Sequence, residues 1–415
     1  VIEQTPHNRV VSNVFHGQRP EDVRRSNRAV ALELLRVKAR SRSDLARTMH
    51  LSKPALGDLI GDLLLRGVVV ERAPTPTLRG RHPAPLEIND QRFSVIGMDV
   101  ACGGAEIGLF DALGQALEVE RVALPNGMGA EAVYAVLLKT LRAFRTRCAK
   151  RHAAPMAALG ITSPGPIDAR TGTVLNPPNF ADLNGLALAP RLEHDLGLTV
   201  RLERDAAAAA TAYLNQTDLQ HFVYILLTKG IGASIVVGRQ VLRGEHGFAG
   251  EFGHVSVDQH GAPCACGNRG CVEGLASSRA IETAFGGGHT VLEIAQLARD
   301  GDGAARTVFE AAGRALGLAC VSLVNLLDPT ALVLGGPGAA WAELLLPAMR
   351  AQLEERAYPF LNWGAQLPVL IAPAQPLVCL EAAECVLKAV QLGEIPLPDH
   401  SLAVPQEVAL IPAHG

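Results

Sequence analysis

No uncharged apolar run of about 18 residues occurs in the 415-residue chain, and nothing near its start has the short apolar core of an export signal. The sequence therefore predicts no membrane partner and a cytoplasmic address. Cysteine is scarce as well. Eight residues are too few to frame a disulfide scaffold, and three of them crowd together as Cys264, Cys266 and Cys271, which points to metal rather than to redox pairing. A strong charge of either sign is lacking overall, the net being −3, yet the distribution is uneven. Residues 1–92 hold 16 Lys and Arg against 10 Asp and Glu, whereas the remainder holds 22 against 31. A basic head on an acidic body suits a DNA-binding module joined to a ligand-binding one. With 48% hydrophobic and 19% charged residues the chain is globular rather than disordered, and its length calls for two or three domains.

Residues 1–26 are polar and aperiodic and read as a mobile arm. From Asn27 the spacing turns helical, with Val30, Leu34 and Val37, together with Leu32 and Leu35, predicted as the apolar stripe. Ser41 and Asp44 form a capping box that opens a second helix, and Ser52 caps a third with Pro54 in its first turn. Two short helices around a tight turn are the helix-turn-helix arrangement, and it places Ser52, Lys53 and Ala55 toward DNA. Two strands, Val68–Val70 and Leu86–Ile88, flank a loop from Thr75 to His82 whose Arg79 and Arg81 form a basic wing tip suited to phosphates or a minor groove. The recognition face is poor in base-reading side chains: it carries Gly57 and the phosphate-repelling Asp58. Specificity then leans on Lys53, the wing and DNA shape.

After a short linker, Asn89 to Phe93, the pattern strand, glycine turn, strand, then helices occurs twice, which predicts two related α/β lobes around a cleft. The first holds a buried strand, Ala157–Thr162, ending in Ser163-Pro164-Gly165-Pro166, and a strand that runs into Asp205 and an alanine-rich helix. The second holds paired strands around Gly230 and Gly232, followed by a glycine-rich excursion to about residue 274. Glycine turns at a cleft are places for phosphates, although a glycine in a hairpin is ordinarily only a turn residue. Boundaries follow: winged helix-turn-helix 27–88, lobe 1 94–216, lobe 2 with a return to lobe 1 217–392, and a tail 393–415.

The most specific chemical pattern is Gly250-Glu251-Phe252-Gly253-His254, then Cys264-Ala265-Cys266-Gly267, then Cys271-Val272-Glu273. One imidazole and three thiolates can close a tetrahedral shell around Zn2+, with no open position for catalysis, so the metal is expected to be structural, one per chain. His246, His260 and His289 read as ordinary loop residues.

The strings GFAGEFGHVSV and CACGNRGCVE resemble the signature of the ROK family (repressors, open reading frames and kinases), and the head resembles that of its xylose- and N-acetylglucosamine-repressor type. The likeness extends over roughly residues 27–392. It implies an actin-like (ribonuclease H-like), two-lobed ATPase-type fold behind an all-α winged head, a homodimer or homotetramer, and a sugar site in the cleft. By position, it implies that Gly165 and Pro166 line the sugar pocket with Asn179 beside it. Asp205 stands at the kinases' base position, and Glu251 and Glu273 accept sugar hydroxyls. His254 gives one ring nitrogen to zinc and the other to sugar. The departures are as informative. The kinases' first phosphate loop, D-x-G-G-T, here reads Asp99-Val100-Ala101-Cys102-Gly103; their G-T-G-I-G reads Thr228-Lys229-Gly230-Ile231-Gly232; and the Asn that usually precedes the catalytic Asp is Arg204. Phosphoryl transfer relies on positioning and electrostatics around the phosphates, so the sequence predicts lost catalysis, a vestigial Asp205 and spared sugar binding. The expected function is a sugar-responsive regulator, most simply a repressor, with operator DNA and a small sugar or sugar phosphate as partners. An active sugar kinase carrying a DNA-binding head and a metal sensor are the rivals.

Replacing Arg79 and Arg81 with Ala is expected to weaken DNA binding and to flatten the slope of log K against log salt by about 0.9 per lost phosphate contact. Anisotropy titrations over a salt series read both quantities, and unchanged affinity and slope would remove the wing from the interface.

Overall fold

The structure is a computed structural model, and it describes residues 20–72, 76–77, 80–81, 84–168, 170–358, 363–374 and 377–398. Most of the predicted arm, Arg79 and the end of the tail lie outside these. The head begins earlier than its apolar spacing suggests, because helix α1 spans Pro20–Val37. Its first turns, Pro-Glu-Asp-Val-Arg-Arg, carry a helix-starting proline and acids but no apolar stripe, so hydrophobic periodicity gives no sign of them. Only part of the predicted stripe faces inward. Val30 and Val37 are exposed, while Ala31, Leu32 and Leu35 are buried, because the inner face of α1 meets a helix from the far end of the chain.

Strand β1 (Arg40–Ser41) leads into α2 (Arg42–Thr48), whose first turn is capped by the Ser41 hydroxyl accepting from the Asp44 amide at 3.1 Å. Ser52 caps α3 (Lys53–Leu65), which buries Leu56, Ile60 and Leu63. Strands β2 (Val69–Glu71) and β5 (Pro85–Ile88) pair antiparallel. Between them the segment read as a loop carries its own ribbon, β3 (Pro76–Thr77) with β4 (Gly80–Arg81), so the wing is a longer hairpin than its composition indicates.

Lobe 1 is a five-stranded sheet of β6 (Ser94–Ala101), β7 (Gly103–Asp111), β8 (Ala116–Leu124), β9 (Met156–Ser163) and, after the short pair β10 (Ile167–Asp168) and β11 (Thr173–Val174), β12 (Thr199–Arg204). Its order is β12-β9-β6-β7-β8, and α4 (Ala130–Arg151) and α5 (Leu188–Leu196) cover one face. Helix α6 (Asp205–Leu214) then crosses to lobe 2, whose sheet holds β13 (Phe222–Leu227), β14 (Ile231–Val237), β15 (Gln240–Leu242), β16 (Ala331–Gly335) and β17 (Val369–Ile371). The order β15-β14-β13-β16-β17 repeats lobe 1: three antiparallel strands, then two parallel additions on the far side of the first. Helices α7 (Glu273–Ala276), α8 (Ser278–Ala284), α9 (Val291–Arg299), α10 (Gly303–Leu327), α11 (Leu346–Arg356) and α12 (Trp363–Gln366) complete the lobe. Among the described residues, α10 alone is long and apolar enough to cross a membrane; half of that stretch is buried, and its core side chains belong to the lobe 2 cluster.

The last helix, α13 (Cys379–Leu392), returns to lobe 1 and lies against β6 and β9. The approach is so close that a side chain on Gly97 would run into the Cys379 carbonyl, and one on Gly160 into that of Ala382. Its other side carries the head. Leu32, Leu35, Leu45, Ile60 and Leu86 of the head share one buried cluster with Phe93, Phe110, Ala383, Val386, Leu387 and Val390. The end of the segment read as a linker, Arg92 and Phe93, is thus buried, and the tail begins docked. Ile395 is 1% exposed, and Arg92 donates to the Pro398 carbonyl at 3.2 Å and to the Arg66 carbonyl at 2.8 Å. Glu384 ties the junction. It accepts both terminal nitrogens of Arg36 from α1 and, at 3.0 Å, the side-chain amide of Asn215 at the end of α6.

Glu384→Ala leaves the Arg36 guanidinium, 24% exposed, and the Asn215 amide without that acceptor. It is expected to destabilise the protein by roughly 1–3 kcal/mol, with the head losing structure before the body in a denaturant titration followed by hydrogen exchange. An unchanged midpoint would show that the pair adds nothing to the junction.

Candidate functional site

The cleft is organised by the β13–β14 turn, the second glycine loop. Gly230 must lack a side chain, since a Cβ there would lie 2.5 Å from both the Asn179 amide nitrogen and a Glu273 oxygen. Glu273, at the start of α7, accepts the Ile231 amide at 2.9 Å through Oε2 and the Asn179 side chain at 3.4 Å through Oε1. The Gly230 amide donates to the Thr228 hydroxyl at 3.1 Å. Two amides that could face a phosphate in this loop are therefore engaged within the protein. The first loop is likewise a tight hairpin in which Ala101 pairs with Gly104; of the two positions where phosphate-binding glycines would stand, Ala101 ends β6 and Cys102 makes the turn. Gly165 and Pro166 lie in the β9–β10 turn, where Gly165 packs on Pro177, two residues before Asn179.

Asp205 opens α6 directly after β12, and its Oδ1 accepts the Ala206 amide at 2.7 Å. Burial pushes its carboxyl up to about 7, with Asp99 and Glu251 adding like charge and Arg204 opposing them. Asp99, at the first glycine loop, is pushed up to about 6 by burial, against the Thr162 hydroxyl that donates to it at 2.6 Å. A third acid, Glu381 on α13, is raised to about 8 by burial and by the charges of Asp99 and Asp205. Glu381 was not among the residues singled out from the sequence. Its signal there is two acids three residues apart, Glu381 and Glu384, on the apolar face of a helix, where acids rarely sit without a task.

Arg204 is the other residue whose role only the fold discloses. Its guanidinium, 7% exposed, donates to Glu251 Oε1 at 2.9 Å and also to the Ala249 carbonyl. Glu251 is thus already paired and is not a free bidentate acceptor.

Beyond Glu251 the chain makes a short 3-10 turn, Phe252–His254, and brings four donors together. The ligand atoms of His254, Cys264, Cys266 and Cys271 lie within 4.8 Å of one another and could hold a metal ion. His254 Nδ1 is 3.7 Å from Cys264 Sγ, and Cys266 Sγ is 3.7 Å from Cys271 Sγ. Ligands bound at usual zinc distances stand about 3.6–3.8 Å apart along the edges of a tetrahedron, and these two edges match that spacing. Because Nδ1 faces the thiols, Nε2 is left on the other side of the imidazole. The surrounding loop is held by backbone bonds, Val257 to Gly270 and Cys264 to Asn268, rather than by a core of its own.

In the head, Ser52, Lys53, Ala55, Gly57 and Asp58 are all exposed along one side of α3. Arg81 is at the end of the wing ribbon, and Arg79 lies outside the described residues.

Residues 95–372 match the ROK family. A putative xylose repressor of Caldicellulosiruptor sp. (strain Rt8B.4) is 29% identical over 338 residues, which are 77% of this chain and 84% of that protein. A solved ROK family transcriptional regulator, a homologue of the Escherichia coli MLC protein, is 26% identical with a TM-score of 0.77, covering 89% of this chain and 97% of that one. A ROK hexokinase from Thermus thermophilus is 31% identical with a TM-score of 0.57, covering 73% of this chain and 99% of that one.

Because the carboxyl of Asp205 is raised in the fold, its contribution to stability is present below the unfolded value near 4 and is lost as pH rises through about 7. Asn mimics the protonated acid. Asp205→Asn is therefore expected to melt above wild type at about pH 8, with a smaller advantage at about pH 5. An advantage that is flat or reversed with pH would show that Asp205 is ionised at no cost in the fold.

Proposed function

The chain belongs to the ROK family, and from that premise we propose that it is a sugar-responsive transcriptional regulator, a repressor, whose kinase-like body no longer transfers phosphate. The observation that carries this reading is the head. A helix-turn-helix with an exposed, Ser52-capped third helix shares one buried cluster with α13 and lobe 1, so it is built into the body. The likeness to the solved regulator spans 89% of the chain. The glycine loops add support, because amide donors a nucleotide would need are engaged elsewhere.

In this reading, operator DNA meets Ser52, Lys53, Ala55 and the wing arginines Arg79 and Arg81. A small sugar or sugar phosphate enters between the lobes, near Gly165, Pro166, Asn179 and Asp205. Its hydroxyls are accepted by Glu251 and Glu273 and by His254 Nε2. His254, Cys264, Cys266 and Cys271 hold one structural zinc, the thiolate-rich set favouring it over harder cations. That ion fixes the loop on which Glu251, His254 and Glu273 sit. A homodimer or homotetramer in the cytoplasm presents paired heads, and the effector shifts the lobes and with them the half-site spacing, a coupling of about 1–3 kcal/mol. The second reading is an active sugar kinase carrying the same head, favoured by Asp205 at the start of α6 and by the retained Gly230-Ile231-Gly232 turn.

Genomic fragments captured by the purified protein, challenged with pentoses, hexoses, amino sugars and their phosphates, test the proposal. At least one sugar is expected to release them, and indifference to all would overturn the effector role. ADP formation at about 1 per second or faster would make the protein a kinase. Cys264→Ser is expected to lose the zinc, keep the DNA and stop responding to sugar; a zinc-free protein that responds normally would detach the metal from the effector site.

A further inference from the structure

Both acids that flank the metal loop are bridged to lobe 1 by side chains that cross the cleft. Glu273 is reached by Asn179 at 3.4 Å and Glu251 by Arg204 at 2.9 Å. The two bridges differ in strength. The first is a long contact from an uncharged amide. The second joins ionised partners, a charge-assisted bond of the stronger kind, and the same guanidinium takes the Ala249 carbonyl as a second acceptor. Arg204 ends β12 and immediately precedes α6, so its backbone is fixed on both sides. Its two acceptors lie in the segment that leads to His254. That segment is itself pinned to lobe 2, where the Gly250 carbonyl accepts the Ala233 amide at 3.1 Å.

Taking the cleft as the sugar site proposed above, we propose that Arg204 is an internal latch. It occupies Oε1 of Glu251, and the effector must displace it for both oxygens of that carboxylate to accept sugar hydroxyls. Arg204 thereby sets the affinity of the cleft. A neutral hydroxyl is a weaker donor to a carboxylate than a guanidinium is, so a ligand meeting only Glu251 loses the exchange. A ligand that also engages the cleft's other groups gains enough to open the latch, and opening removes the strongest cross-cleft contact between β12 and the metal loop. The latch makes the effector bind the released arrangement better than the latched one, which is the difference a ligand must have to shift a conformational equilibrium. A short neutral side chain at position 204 would leave Glu251 free and the cleft more permissive.

The test uses the full-length, metal-loaded protein and isothermal titration calorimetry with D-xylose, D-glucose and N-acetyl-D-glucosamine, each alone. Arg204→Asn is expected to bind at least one of them about ten times tighter than wild type or better, the equivalent of about 1.4 kcal/mol. Glu251→Gln should cost more affinity when combined with Arg204→Asn than when introduced alone, because only in the combination is the carboxylate free beforehand. Arg204→Lys, which keeps the charge but cannot bridge two acceptors with one planar fork, should fall between. Metal content and melting temperature establish that each variant is folded. Equal or weaker binding by folded Arg204→Asn, no binding by it to any of the three sugars, or additive effects of the two substitutions would overturn the latch. A wild-type protein that binds sugar without releasing DNA would instead overturn the regulator reading and leave the latch standing.

Discussion

Helix α13 lies on the lobe 1 sheet at a separation only glycine allows. With Gly97 and Gly160 beneath it, the carbonyls of Cys379 and Ala382 approach the strands directly, and no other residue fits at either place. Everything that joins the head to the cleft depends on that contact. The head packs on the outer side of the same helix, α6 packs beside it, and Glu384 is the point at which α1, α6 and α13 meet. A chain that returns from its last lobe to its first also makes the fold cooperative, because neither the head nor lobe 1 has its full core until Val390 is in place.

In the proposed reading the cleft gives up phosphoryl transfer and keeps its carboxyls. A nucleotide needs backbone amides that point at its phosphates and glycines that let it come close. In the first loop, Ala101 and Cys102 continue a β-hairpin; in the second, Thr228 and Glu273 take up amides. The carboxyls meanwhile remain, and burial pushes Asp99, Asp205 and Glu381 upward together. Burial thus weakens the negative charge that these three acids bring to the cleft as pH falls, most for Glu381 and least for Asp99.

The metal-ligand loop solves a different problem. It is rich in glycine and polar residues, and one ion held by its four ligand side chains could supply the cross-link that a core supplies elsewhere. Glu251 and Glu273 lie just outside the ligand set on either side, so whatever orders the cluster also orders them.

Much of this protein was legible in its sequence, and each legible part had a local cause. Ser41 and Ser52 announce their helices because capping is decided within three residues; His254, Cys264, Cys266 and Cys271 announce a cluster that could hold a metal because ligand chemistry is specific; and the doubled strand-turn-strand pattern announces two lobes because each sheet is made largely of neighbours in sequence. What the sequence did not disclose was non-local. The first turns of α1 carry no apolar stripe, so periodicity passes over them, and Val30 and Val37 imitate a stripe that the real partner, α13, does not meet. Asn89 to Phe93 and the start of the tail look like connectors until Phe93 and Ile395 are seen inside a shared core. Arg204 was visible as a departure from the family pattern, but its pairing with Glu251, 47 residues away, exists only once two lobes face each other. Short-range chemistry is written in the order of residues. Which charges meet across a cleft is decided by packing, since the Coulomb energy of a pair depends on a distance and a dielectric that only the folded chain sets.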